Sequence, residues 1–299
     1  MNQALKTFKP YLKAFGTGPK GNRELTFAEA KEACQLILDQ KIPREVVGAF
    51  LISWRVQAES VEEMLGALEA LKESENTLEP LTNSIEVAFP MEGKKKNIPL
   101  LILTAALLPH EHFVITSSPS AKMQGAVSLL DLKQVLPTNI TLVDRSLHLP
   151  KLEALQTLRD NLGLRTVFNT LEKLHHPLKS DYAVVGAHHG PYFKKYASIF
   201  SHQYKRMMIL QGDEGCGEII KKGKIEIIEN GEVLESFTLD PKEFDINFVK
   251  PTEACSLNEM KNILKNPSSE LIKLAKLNAA VYLYMKDSSL SLQNIFQTL

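Results

Sequence analysis

No stretch of this 299-residue sequence is long and apolar enough to cross a bilayer. The longest apolar run, Ile98–Leu108, is bounded by Pro99 and Pro109, far short of the roughly 20 residues a membrane helix needs. The start, MNQALKTFKPYLK, is amphipathic and lacks the apolar segment of a secretion signal. Cysteine is scarce: Cys34, Cys216 and Cys255 stand far apart and are odd in number. That argues against a disulfide frame or a cysteine zinc site and for a reducing, cytoplasmic setting. Net charge is also missing, with 35 Lys and Arg against 35 Asp and Glu, whereas nonspecific nucleic-acid binders are usually basic. Nor is there a G-x-x-x-x-G-K-[ST] phosphate loop. Gly16-Thr-Gly-Pro-Lys-Gly-Asn-Arg23 imitates one, but it follows no strand and precedes a capped helix.

What charge there is lies unevenly. Residues 91–224 hold 18 bases against 11 acids, and residues 225–299 hold 7 against 11. A basic middle on a neutral chain is either an anion-binding face or solvated surface. The first 74 residues read as helices only. Thr26-x-x-Glu29 and Ser60-x-x-Glu63 are capping boxes. Pro43 opens a helix with Val46, Val47, Phe50, Leu51 and Trp54 on one face. After residue 80, short β-like runs (Ile85–Phe89, Phe113–Thr116, Thr141–Val143, Tyr182–Ala187, Met207–Gln211) alternate with helical segments. Those segments lie near Ile98–Leu108, Ala121–Val135, Leu149–Leu174 and Tyr192–His202. The alternation predicts an α/β fold with a mostly parallel sheet flanked by helices. Lys224–Glu229 and Glu232–Leu239, joined by Asn230-Gly231, predict a hairpin. Helices return at Leu257–Lys265, Ser269–Lys286 and the carboxyl end.

Leu158–Pro177, LRDNLGLRTVFNTLEKLHHP, resembles the R-x-x-L-G-x-R-T-x-F-N-x-L-G-P-L-x-N-P run of anthranilate phosphoribosyltransferases in glycosyltransferase family 3. Arg159, Leu162, Gly163, Arg165, Thr166, Phe168, Asn169, Leu171, Leu174 and Pro177 fit it. Glu172, Lys173 and His176 replace its Gly, Pro and Asn. Residues 25–71 resemble the family's helical domain. Asp240-Pro-Lys-Glu-Phe244 and Lys276-Leu-Asn-Ala-Ala-Val-Tyr282 resemble its P-E-E-F and L-N-A-A-x-x-L-Y. The resemblance implies a small helical domain (1–74, with the helix near 150–175 packed on it) and a larger α/β domain (80–299).

The chemistry-bearing loops depart from that pattern. The family's Gly-rich G-T-G-G-D loop holds the diphosphate through backbone N–H groups at a helix N-terminus. Here the strand is followed by Pro90-Met-Glu-Gly-Lys-Lys-Lys-Asn-Ile-Pro99. Lys94, Lys95 and Lys96 would precede a helix capped by Asn97, where the helix dipole disfavours cations by roughly 0.3–1 kcal/mol each. A nearby anion would account for them. The family's K-H-G-N loop becomes Ser117-Ser-Pro-Ser-Ala-Lys122. Its H-P-A-M-K run keeps only Pro150, with His148 one place off, while the acceptor-binding arginine is kept as Arg159. In place of H-G-x-D-G-L-D-E stands Gln211-Gly-Asp-Glu-Gly-Cys-Gly-Glu218. Glu218 matches the magnesium-orienting Glu, Gly217 replaces the Asp, and Asp213 and Glu214 stand nearby. His175-His176 and His188-His189 invite a metal reading, but adjacent residues point different ways and make no natural chelate.

Gly16-x-Gly-x-x-Gly-x-Arg23 and His188-His189-Gly-Pro-Tyr192 resemble a second anthranilate-transferase-like branch of the family. That resemblance implies a cytoplasmic homodimer, joined through its N-terminal helices, that binds nucleic acid without sequence preference and needs no cofactor. Lys94, Lys95, Lys96, Lys20, Arg23, Arg159 and Arg165 would neutralise phosphates, with Lys221, Lys222 and Lys224 as further cations. The alternative is a glycosyl- or phosphoribosyltransferase on an altered substrate, using Arg159, Arg165, Asn169 and Glu218, with Mg²⁺ if enzymatic. A purely structural or regulatory dimer is the third reading.

Overall fold

Four helices fill the first stretch of chain: α1 (Gln3–Gly16), α2 (Phe27–Leu38), α3 (Arg44–Gln57) and α4 (Val61–Glu73). Thr26 and Ser60 accept from the N–H groups of Glu29 and Glu63 at 3.3 Å, and those carboxylates reach back to the cap N–H groups. Phe8, Phe15, Phe50 and Trp54 form the aromatic core, with ring centroids 4.9 to 5.8 Å apart. Glu63 is buried beside it at 1% exposure. Its carboxylate accepts from Trp54 Nε1 (2.9 Å), Leu25 N–H (2.7 Å) and Ser60 N–H (2.7 Å), so its burial is matched by hydrogen bonds.

The computed structural model describes residues 3–121, 125–187, 190–213 and 215–299. Its chain divides into two units, one of Met1–Thr77 with Arg145–His175, the other of Leu78–Asp144 with His176–Leu299. In the first unit, a short helix at Arg145–His148 is followed, where one helix was expected at Leu149–Leu174, by three more: Pro150–Glu153, Gln156–Leu162 and Val167–Leu171. Gly163, at φ 62°, ends Gln156–Leu162 in the left-handed region that glycine tolerates. Thr166 and Asn169 then start Val167–Leu171 with a reciprocal cap.

The second unit is built on a seven-stranded sheet: β1 (Ser84–Val87), β2 (His112–Ser117), β3 (Ile140–Asp144), β4 (Tyr182–Gly186), β5 (Arg206–Leu210), β6 (Gly223–Glu229) and β7 (Glu232–Leu239). Its order is β3-β2-β1-β4-β5-β6-β7. The first five strands run parallel, and β6 and β7 close the edge antiparallel. Asn230 and Gly231 both take positive φ, 51° and 82°, as the tight hairpin turn demands. Helix α5 (Leu100–Leu107) and the long helix Ser269–Lys286 pack together over the sheet. Leu101, Ala105, Leu274 and Tyr282 are fully buried there. The helix expected near Ala121–Val135 is not formed among the described residues. That stretch holds turns and a 3₁₀ turn at Lys133–Val135, anchored where Val127 bridges to Lys94. Lys122 lies outside the described residues. No helix among the described residues is long and apolar enough to cross a membrane.

Candidate functional site

Gly93 turns the chain after β1 at φ 82°, and a Cβ there would meet Val127 O at 2.6 Å. The next residue is clamped by backbone bonds in both directions with Val127, at 3.0 and 2.8 Å. This aims the Lys94 side chain inward, where it is fully buried. Its Nζ lies 2.5 Å from Glu218 Oε2 and also donates to Ile98 O at 3.3 Å. Glu218 Oε1 accepts the Leu101 N–H at 3.0 Å. A single carboxylate therefore neutralises the lysine and satisfies the first turn of α5. The helix cap is Pro99, not Asn97. Asn97 Nδ2 donates instead to Asp213 Oδ2 at 2.7 Å, and Asp213 is also ion-paired to Lys250. Tyr282 donates to the Gly217 carbonyl. Its hydroxyl is raised well above its ordinary pKa by burial and by the charge of Glu218.

A second charge cluster lies within the helical unit. Arg159 is gripped bidentately by Glu172, NH1 to Oε2 at 2.9 Å and NH2 to Oε1 at 2.5 Å. Arg145, wholly buried, also donates to Glu172, and places Nε 2.7 Å from Glu153 Oε2 and NH2 2.6 Å from Gln156 Oε1. Two guanidiniums thus meet two carboxylates. Burial pushes the Glu172 carboxyl up, but Arg159 and then Arg145 outweigh it and hold the group below the usual carboxylate range.

Against this geometry, two domain models of the glycosyl transferase family match the chain: the helical bundle domain over residues 9–74 and the α/β domain over residues 131–299. The chain belongs to this family. It is 23% identical to the anthranilate phosphoribosyltransferase of Endomicrobium trichonymphae, across 90% of this chain and 87% of that one. It is 27% identical to a protein of Aquifex aeolicus (strain VF5), across 81% and 79%. Solved structures share the fold. Anthranilate phosphoribosyltransferase from Thermus thermophilus superposes with a TM-score of 0.75 at 16% identity, covering 99% of this chain and 93% of that one. The Saccharomyces cerevisiae enzyme, solved in complex with PRPP and Mg, gives 0.76 at 17% identity, covering 98% and 92%.

In this family member the described candidates for holding Mg²⁺ are already engaged by side chains of the chain itself. Lys94 occupies Glu218, and Lys250 and Asn97 occupy Asp213. At position 217 the aspartate of the family pattern has no room, because a Cβ there would lie 2.8 Å from Val184 Cγ1 and 3.2 Å from Val87 Cγ1. Glu214 lies outside the described residues. A divalent ion needs free carboxylate oxygens, and these residues do not fit one.

Several expected phosphate contacts are corrected by the same geometry. Lys94 and Arg159, at 0% and 5% exposure, face internal carboxylates rather than solvent. The anion that the lysine run called for is the chain's own Glu218. Arg23 is exposed but forked onto Glu29 with two bonds of 2.7 Å. Lys224 pairs with Glu226, and Lys222 lies 3.9 Å from Asp240. Lys20, Lys96 and Arg165 are exposed and Lys95 is half-buried. The structure brings none of these four to a shared ligand. Asn169 Oδ1 accepts from Thr166 N–H at 2.8 Å, which is a capping task.

Lys96 and Asn97 instead border a cavity of about 560 Å³ walled by Ile98, Phe248, Cys255 and Leu271. His176 turns to the Ser180 carbonyl (2.8 Å) and away from His175. His188 and His189 lie outside the described residues. Arg145 and the pairing role of Glu172 were not foreseen. The available signal was an acid appearing within a motif that kept its arginine.

Proposed function

We propose that this protein is a transferase-type member of glycosyltransferase family 3 acting on an altered substrate, and that neither anthranilate nor magnesium phosphoribosyl pyrophosphate is that substrate. The Arg159–Glu172 pair carries the reading. The arginine that would receive an acceptor's carboxylate already holds one, buried and bidentate. Breaking a buried pair costs about 3–5 kcal/mol. An incoming carboxylate would therefore compete at a deficit of roughly two to four orders of magnitude. An acceptor that brings no carboxylate meets no such competition, so the reading favours a neutral, nucleobase-like acceptor. A cytoplasmic setting is part of this reading, because the sequence has only three, widely spaced cysteines.

The test is a binding and turnover panel on the intact protein. Anthranilate, phosphoribosyl pyrophosphate with Mg²⁺, and neutral nucleobases or nucleosides with inorganic phosphate are each followed by calorimetry and product chromatography. The expected result is no phosphoribosyl-anthranilate and heat or product with a neutral acceptor. Anthranilate turnover would overturn the reading. Single-stranded DNA and RNA form a further arm. Salt-dependent binding there, with silence in the small-molecule arms, would move the protein to the nucleic-acid reading, carried by Lys20, Lys95, Lys96 and Arg165 rather than by Lys94 or Arg159.

A further inference from the structure

Glu75, His148 and His175 converge inside the helical unit, each offering one ligand atom, all within 4.8 Å of one another. His148 Nε2 lies 3.2 Å from His175 Nδ1 and 3.4 Å from Glu75 Oε2. For a tetrahedral ion with bonds of about 2.0 Å, neighbouring ligand atoms are about 3.3 Å apart. Two of the three separations match that edge. The third is closed by Glu75, whose side chain is 15% exposed while that of His148 is 1% exposed.

The tautomer of His148 points the same way. Its Nδ1 lies 3.0 Å from the Asn76 carbonyl, which can only accept, so Nδ1 carries a proton. Its Nε2 is thereby turned toward both His175 Nδ1 and Glu75 Oε2. A histidine whose far nitrogen donates to a backbone carbonyl is the arrangement that orients metal-binding imidazoles.

We propose that Glu75, His148 and His175 form a three-ligand site for a zinc-class divalent ion, with a fourth position for water where Glu75 meets solvent. Two imidazoles and a carboxylate are a donor set that Zn²⁺ and Co²⁺ accept and that Mg²⁺ does not favour. The placement gives the ion a structural task. The chain leaves the helical unit after Thr77, re-enters at Arg145 and leaves again after His175. The three ligands stand within three residues of those points, so the ion would tie together the three chain crossings. The site is separate from Glu218 and Asp213, which belong to the other unit.

The experiment uses full-length, tag-free protein stripped with a chelator and titrated with Co²⁺, then with Zn²⁺. One Co²⁺ per chain is expected, with the intense visible bands of a four-coordinate ion, displaced stoichiometrically by Zn²⁺. His148→Ala and His175→Ala should abolish the bands and Glu75→Gln should weaken them. His202→Ala, at an exposed site, should leave them intact. Zn²⁺ should raise the melting temperature of the parent and of His202→Ala, but not of the ligand variants. Where His148→Ala fails to fold, the His175→Gln and Glu75→Gln spectra decide. Absent bands in the parent, or bands unchanged in the ligand variants, would overturn the site.

Discussion

Arg159 and Glu172 stand 13 positions apart and meet as a bidentate pair, with guanidinium nitrogens 2.9 and 2.5 Å from the two carboxylate oxygens. The arginine belongs to the family motif, and the glutamate stands where the motif has glycine. A side chain has been added that satisfies an inherited charge from within. Lys94 and Glu218 repeat the arrangement in the other unit with the signs exchanged: the carboxylate is inherited and the cation is new.

Glu172→Gln should destabilise the folded protein by about 3–5 kcal/mol, because it leaves Arg145 and Arg159 buried without a full counter-charge. Urea unfolding followed by circular dichroism measures this. Replacing an exposed acid outside the cluster such as Glu79 should change stability by no more than about 0.5 kcal/mol. Equal effects at the two positions would show that the pair contributes nothing particular.

The same pair predicts an acid-side signature. The folded Glu172 carboxyl lies below its unfolded value, which is about 4.3. Its stabilisation is therefore fully present above that unfolded value and is lost as pH falls through the lower folded value. Between about pH 5 and pH 3 the parent should lose stability more steeply than Glu172→Gln. Parallel pH profiles would mean that other carboxylates govern acid unfolding.

How far the sequence reached follows from the range of each interaction. The boxes at Thr26 and Ser60 and the turn at Asn230-Gly231 are settled by neighbours within a few residues, and each appears at its expected place. Near Ala121–Val135 the apolar spacing alone looked helical. Among the described residues there, Val127 bridges to Lys94 instead, and turns follow. Lys94, Lys95 and Lys96 looked alike as a run, yet they are buried, half-buried and exposed in turn. The Gly93 turn and the Val127 clamp separate them, and both depend on a segment over thirty residues away. Glu172 was visible as a departure, but its partners Arg145 and Arg159 only meet it once the short helices fold back.

Gly217→Asp restores the family pattern but should not restore metal binding. The new Cβ would press on Val184 Cγ1 at 2.8 Å, and overpacking of this kind costs about 1–3 kcal/mol. Calorimetry with Mg²⁺ should show no new site, because Lys94 still occupies Glu218. A tight Mg²⁺ isotherm in this single variant would show that the lysine yields readily.

The Lys94–Glu218 pair supplies the most discriminating mutant cycle. Lys94→Met leaves Glu218 at 1% exposure and takes away its counter-charge, while the Leu101 N–H still donates to it, so a loss of about 3–5 kcal/mol is expected. Glu218→Leu strands the ammonium and removes the acceptor for the first turn of α5, so its loss should be at least as large. The double variant has neither buried charge and fills the same space with apolar atoms. Such replacements are often neutral or stabilising by about 1–4 kcal/mol. It should therefore be far more stable than either single variant, apart from about 1 kcal/mol for the lost helix cap. Additive losses in the double variant would mean that the two side chains act independently, and that Glu218 is available to another partner.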